Sequence, residues 1–196
     1  MLFALALMAQ DVTLNADATQ AIGCGRAVIA ASPSRSENAV TPMLQAVYFM
    51  MIAAQADPGK DGKRFLERTS DVAPSIFQKG GAQTPLAACD KRYPMARSTA
   101  QVKLPANAFD RDMMCAAASS YAFGILSGAG IGDKVKDYER VQQGFVARIP
   151  DDVLKAHGIS TEDTIIGAMD NALRGTLRVG NLEMIMQACT RELDGK

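Results

Sequence analysis

The stretch 107–128, which reads NAFDRDMMCAAASSYAFGILSG, predicts a helix that carries one of the four cysteines of the chain. Asn107 is a favoured N-cap residue, Asp110 follows three positions later, and Gly128 marks the end of the segment. Comparable helix signals recur along the 196 residues, whereas the β-branched alternation typical of strands is almost absent. The sequence therefore predicts an all-α fold.

The cysteines are spread along the chain at Cys24, Cys89, Cys115 and Cys189. They form no CxxC pair, and the single histidine, His157, is not enough to complete a Cys/His zinc site. An even number of well-separated cysteines is typical of a disulfide framework. We expect two disulfides, and the spacing alone leaves three connectivities open.

Weak internal similarity favours one of these connectivities. When 65–92 is laid over 165–192, the matched positions include Phe65/Ile165, Leu66/Ile166, Asp71/Asn171, Phe77/Leu177, Gly80/Gly180 and Cys89/Cys189. Cys24 and Cys115 each open a predicted helix in the corresponding half. A duplication predicts the disulfides Cys24–Cys89 and Cys115–Cys189, and chance similarity between helices is the alternative.

On this interpretation the chain forms two similar helical units of about five helices each, and each unit is closed by one disulfide. Unit 1 is 11–92, unit 2 is 107–196, and a linker at 93–106 is bracketed by Pro94 and Pro105. The paired cysteines lie 65 and 74 positions apart. Closing loops of that length removes about 4 kcal/mol of unfolded-state freedom per disulfide in the chain-entropy model.

Several further signals predict where helices begin and end. Thr41 precedes a proline and is predicted to be an N-cap, and Pro74 is predicted to interrupt a helix over 61–79. Ser160 and Asp163 resemble a capping box, and Asn181 is predicted to cap the last helix.

Residues 1–10 form an uncharged apolar run that is too short to cross a bilayer and fits the hydrophobic region of a signal peptide. Ala6 and Ala9 suit cleavage by a signal peptidase, although the usual basic start is missing. We expect a signal-peptide remnant and a periplasmic or secreted protein with no integral membrane segment after signal removal. A buried N-terminal helix is the alternative.

The charge balance argues against two classes of partner. Lys and Arg total 21, as do Asp and Glu, so the net charge is zero. The chain lacks the surplus of basic residues that would neutralise the phosphates of a nucleic acid. It also lacks a polybasic segment that an anionic membrane surface would attract. With 48% hydrophobic residues, the chain has an ordinary globular composition.

The polar residues that suggest chemistry also have simpler explanations. His157 is followed by Gly158 and is predicted to lie at a helix C-terminus. The glycine-rich stretch 128–134 matches no phosphate-loop pattern, so we interpret it as a helix connector. The helix dipole stabilises carboxylates at a helix N-terminus, and this explains three pairs of acidic residues at predicted helix starts: Asp110/Asp112, Asp151/Asp152 and Glu162/Asp163.

Methionine is the one unusually abundant residue, with 11 in the chain. Its thioether suits Cu(I) in an exported protein, but these methionines lie in apolar helical stretches, where they fill the core. The close pairs are Met50/Met51, Met113/Met114 and Met184/Met186. We predict a core role and no metal site.

The pattern resembles a loose group of poorly characterised secreted bacterial helical proteins with one cysteine pair per unit. The shared features are a helix opened by a cysteine, aromatic helices at Tyr48-Phe49 and Gly144-Phe145, and a late Cys189 followed by Thr-Arg-Glu. This resemblance implies no catalytic residue. The stretch 187–190 is also similar to small periplasmic acid-stress chaperones, but no other segment matches, and that activity is not transferred.

Because no catalytic set is recognisable, the sequence predicts a non-enzymatic periplasmic module that binds another protein or a peptide. It predicts no catalytic residue, cofactor or metal site, and it leaves the partner and the oligomeric state open. The first alternative is a carrier of an apolar small molecule or lipid, in a pocket lined by Met and Phe. The less favoured alternative is an enzyme that uses carboxylates, Ser or Tyr.

Overall fold

The computed structural model describes residues 14–32, 39–59, 62–78, 81, 83–129 and 132–195, without the side chains of 132–134. These residues form nine α-helices and no β-strand. The helices are α1 (Ala16–Ala30), α2 (Val40–Ala56), α3 (Phe65–Phe77), α4 (Leu86–Arg92), α5 (Ala108–Gly128), α6 (Gly132–Val146), α7 (Asp151–Ala156), α8 (Glu162–Thr176) and α9 (Leu182–Leu193). The expected signal peptide, 1–10, lies outside the described residues.

Helix α2 is the central helix of the core. Eleven of its 17 residues are buried, including Leu44, Val47 and Phe49, because it packs against α1, α3 and α9. A helix that is apolar on nearly every side is stable only when neighbours cover it all round. None of the helices in the described part of the chain is both long enough and apolar enough to span a bilayer.

Two disulfides connect helices that are far apart in sequence. Cys24–Cys89 joins α1 to α4, Cys115–Cys189 joins α5 to α9, and all four cysteines are fully buried. The all-α class and the two disulfides are therefore confirmed, with the pairing expected from the internal similarity. The duplication itself stays a prediction.

The two halves of the chain share one hydrophobic core. Buried side chains from both form a single cluster that includes Phe49 of α2, Phe145 of α6 and Ile185 of α9. Helix α2 packs against α9, and α3 packs against α8. Because these contacts cross between the expected units, the apolar face of each half is covered partly by the other half.

Segment 93–106 is non-helical and is held against the start of α9. The buried Asn181 side-chain amide donates to the carbonyls of Met95 at 2.8 Å and Ser98 at 2.9 Å. Its carbonyl oxygen accepts from the Met184 N–H at 3.0 Å, which is the N-cap bond predicted for this residue. One side chain therefore both caps α9 and anchors the segment expected to link the two halves.

Five of the expected helix boundaries are wrong. Cys24 and Cys115 lie inside α1 and α5 and do not open them. Helix α2 begins at Val40, and the Thr41 hydroxyl donates to Glu183 of α9 at 2.8 Å instead of capping α2. Pro74 does not interrupt α3, which continues to Phe77: the helix lacks only the bond that a Pro74 N–H would make, and the Gln78 N–H donates to the Pro74 carbonyl at 2.9 Å.

The fifth wrong boundary concerns the capping box of α8, which starts one residue later than expected. Thr161 is the N-cap, and its hydroxyl accepts from the Thr164 N–H at 3.3 Å. The Thr164 hydroxyl in turn accepts from the Thr161 N–H at 2.9 Å. A pair of threonines thus takes the place of the Ser160 and Asp163 pair.

Candidate functional site

Asp112 lies in the second turn of α5, where it is only 8% exposed. The expected helix-capping role fits Asp110, which is exposed in the first turn of α5, but it is wrong for Asp112. Asp112 precedes the fully buried Cys115 and Ala116 by three and four positions, so it shares their helix face. A carboxylate that is this deeply buried requires partners that compensate for its lost hydration.

Two arginines approach the Asp112 carboxylate without completing hydrogen bonds to its Oδ1 atom. Arg148 Nη1 lies 3.7 Å from Oδ1, and Arg111 Nε lies 3.8 Å from it. Both distances exceed the hydrogen-bond range. Asp112 Oδ1 and Arg111 Nε are buried and have no hydrogen-bond partner among the described residues. The site therefore holds an acceptor whose hydrogen-bonding capacity is unused.

Burial is the largest influence on the Asp112 carboxyl group and raises its pKa above the ordinary value. The positive charges of Arg148 and Arg111 oppose this rise, and Glu192 adds to it. The net effect is a raised pKa, because burial and Glu192 together outweigh the opposing effect of the two arginines.

The Asp112 cleft, as we name this depression, has a volume of about 340 Å³ and opens to solvent beside the start of α5. It lies between α5, the turn that follows α6, and α7. Its lining consists of Asn107, Ala108, Phe109, Asp112, Arg148, Ile149, Val153 and His157. This volume is at the lower end of ligand pockets and fits one or two side chains of a partner.

His157 and Phe109 form one wall of the Asp112 cleft. The rings are stacked, with centroids 3.6 Å apart and planes inclined by 5°. His157 is also the C-cap of α7, as predicted, and its backbone N–H donates to the Leu154 carbonyl at 3.0 Å. The sequence predicted the position of this residue in its helix but not the stack, which depends on how α7 packs against α5.

The other residues that suggested chemistry are explained by the fold. Asp151 and Asp152 lie in the first turn of α7, and Glu162 and Asp163 in the first turn of α8, as the dipole argument expects. The six paired methionines are each 7% exposed or less, and none lines the Asp112 cleft. Within the described ranges, no cluster of three His, Cys, Asp or Glu residues has the arrangement of a metal site.

The glycine-rich connector runs between the end of α5 at Gly128 and the start of α6 at Gly132, and residues 130–131 lie outside the described part of the chain.

Comparisons of the chain with protein-family models, with curated proteins and with solved structures gave no match. The interpretation of function therefore depends on the geometry of the chain itself.

Proposed function

We propose that this chain is an exported, non-enzymatic protein that binds a peptide or another protein, and that the Asp112 cleft receives a basic group of that ligand. The observation that carries the proposal is the buried Asp112 Oδ1, which lines an open cleft and accepts no hydrogen bond from the described residues. An N–H group from a ligand would supply the missing partner. A charged donor would form the strongest bond.

The lining of the cleft favours a lysine or arginine side chain, or a free amino terminus. The Phe109–His157 stack offers a flat apolar wall for the aliphatic part of such a group. Arg148 is 35% exposed, and its guanidinium also lies over the Phe145 ring at 4.8 Å. When a basic ligand group replaces Arg148 beside Asp112, the Arg148 guanidinium keeps its contact with the Phe145 ring.

The disulfides support an exported location. All four cysteines are consumed in two fully buried disulfides, and disulfides persist mainly in oxidising compartments such as the periplasm or the extracellular space. We extend the proposal to a periplasmic or secreted protein whose two halves arose by duplication. In each half the first helix is tied by a disulfide to the last, which is the arrangement a duplication would leave.

Selection from a random peptide library tests the proposal directly. The disulfide-bonded protein is immobilised, and bound peptides are sequenced and measured by calorimetry. We expect peptides rich in Lys or Arg, which bind the D112N variant about tenfold or more weakly because one charge-assisted hydrogen bond is weakened.

The matched control is D151N, since Asp151 is an exposed carboxylate in the first turn of α7 and does not line the cleft. Equal weakening by D112N and D151N would mean that basic peptides respond only to overall charge. Peptides that bind D112N as tightly as the unaltered chain would show that the cleft is not their site.

A further inference from the structure

A second cleft, of about 350 Å³, lies beside Arg111 and does not include Asp112. One wall is the non-helical segment 102–106, and the other consists of residues from α5 and α9. We name it the Arg191 cleft, and its lining is Val102, Lys103, Leu104, Pro105, Ala106, Arg111, Ala188, Arg191 and Glu192.

Positive charge dominates the Arg191 cleft. Lys103, Arg111 and Arg191 line it together with a single carboxylate, that of Glu192, so the lining has an excess of two positive charges. The chain as a whole has no net charge, so this excess is a local concentration. Cations that converge on one concave surface raise the local concentration of anions.

These cations have unused hydrogen-bonding capacity. The side chains of Lys103 and Arg191 form no ion pair or hydrogen bond with any other residue in the described parts of the chain. Arg111 Nε lies 3.1 Å from Glu192 Oε1 but is not aligned for a hydrogen bond. It is one of two buried side-chain polar atoms without a hydrogen-bond partner among the described residues. An incoming acceptor would therefore compete with few existing bonds.

The backbone of the non-helical wall also has donors to offer. The N–H groups of Val102, Lys103 and Leu104 donate no hydrogen bond to any described group. Backbone N–H groups close to cationic side chains are a common way of binding oxyanions.

We infer that the Arg191 cleft binds an oxyanion, either a carboxylate or a phosphate. Arg191 and Arg111 present planar guanidinium groups that match the paired oxygens of such groups, and Lys103 adds a point charge. This inference does not depend on the proposed function, since the Asp112 cleft is tested with basic groups and the Arg191 cleft with anions.

The inference is tested by titrating the isotope-labelled protein and following its backbone amide resonances. Inorganic phosphate is one probe. The other is a short peptide without Asp or Glu that has a free carboxyl terminus, and its C-terminally amidated form is the comparison. Sodium chloride holds the ionic strength constant. We expect saturable shifts confined to the amides of 102–104, Ala106, Arg111 and the end of α9, either with phosphate or with the free but not the amidated peptide. The probe that binds identifies the source of the oxyanion.

The double variant K103M/R191M should weaken that binding about tenfold or more, because two charge-assisted contacts are lost. The matched control is K155M/R178M, which removes one exposed lysine and one exposed arginine that do not line the cleft. No saturable shift with either probe, shifts spread over the surface, or equal weakening by the control pair would overturn the inference. Because all four side chains lie outside the core, circular dichroism should show an intact fold in both double variants.

Discussion

Asp170 Oδ1, in the second half of the chain, accepts a hydrogen bond from the backbone N–H of Leu66, in the first half, at 2.7 Å. Its other oxygen accepts from the Phe65 N–H at 3.1 Å. These N–H groups belong to the first turn of α3, where helices leave donors unsatisfied. A carboxylate of α8 therefore caps a helix of the other half, and the two halves depend on each other at a buried polar contact.

Replacing Asp170 with alanine should destabilise the whole fold. Asp170 is 6% exposed, so D170A leaves two poorly solvated N–H groups without an acceptor. We expect the free energy of unfolding to fall by about 2–3 kcal/mol, as for the loss of a cap together with buried donors. Urea denaturation followed by circular dichroism measures the change.

The control is D163A, also on α8. The Asp163 side chain is 86% exposed, and among the described residues it pairs with Arg64 alone, at 2.8 Å. A surface ion pair contributes about 0–1 kcal/mol, so D163A should change the unfolding free energy little. Similar losses for the two variants would contradict a specific capping role for Asp170.

Each disulfide should make a separate contribution to stability. The closed loops span 65 and 74 positions, so C24A/C89A and C115A/C189A should each lower the free energy of unfolding by about 4 kcal/mol in the chain-entropy model. Urea denaturation of both double variants measures this, and adding a reductant to the unaltered protein gives an independent comparison.

Peptide mapping without reduction completes the test of the disulfides. It should recover Cys24 joined to Cys89 and Cys115 joined to Cys189. A peptide that joins Cys24 to Cys115 or Cys189 would contradict the structure. An unfolding midpoint that a reductant leaves unchanged would contradict the expected contribution to stability.

Two glycines should respond to alanine with opposite signs. A Cβ at Gly25 of α1 would lie 2.8 Å from Cδ1 and 3.1 Å from Cγ2 of Ile76, which is 1% exposed and therefore enclosed by the core. We expect G25A to lower the free energy of unfolding by about 1–3 kcal/mol through overpacking.

Gly124, inside α5, provides the comparison, because a Cβ built there has no described atom within 4 Å apart from its chain neighbours and the nearby backbone of its own helix. Alanine is favoured over glycine in a helix by up to about 1 kcal/mol, so G124A should stabilise the protein. Thermal unfolding of both variants measures the two signs. Stabilisation by G25A would show that α1 and α3 are packed less closely than the structure has them.

The features that the sequence predicted correctly are those that local chemistry decides. Asn107 and Asn181 cap their helices through their own side chains, and His157 lies at the helix end that the following glycine marks. Thr41 has the same local chemistry, but Glu183 engages its hydroxyl from the other half. The sequence near Thr41 contains no information about that partner.

The two most informative carboxylates were missed for the same reason. In the sequence, Asp112 resembles the other acidic residues near predicted helix starts. Its cleft forms only because Arg148 approaches from the turn between α6 and α7. The spacing to Cys115 was the available signal, since a residue three positions before a buried cysteine shares its face. Asp170 has no such local signal, because its partners are backbone groups of α3.

The stability of the protein should depend on pH through Asp112. Burial raises the pKa of Asp112 in the folded protein, so the folded state binds this proton more tightly than the unfolded state does. The contribution of Asp112 to stability is therefore greatest in acid. It declines as the pH rises from about 4, the ordinary Asp pKa, to the raised pKa of the folded state.

The D112N variant has no group to titrate at this position, so it should lack this part of the pH dependence. Urea denaturation of both proteins between about pH 3.5 and about pH 7 should show the unaltered chain losing stability relative to D112N as the pH rises, with no further relative change above the raised pKa. D151N, at an exposed carboxylate of α7, is measured in parallel to separate this effect from the loss of any surface charge. A relative stability that instead increases with pH would mean that Arg148 and Arg111 outweigh burial. In that case Arg148 and Arg111 would already compensate the charge of the Asp112 carboxylate, and this would contradict the proposal that the carboxylate binds a basic ligand.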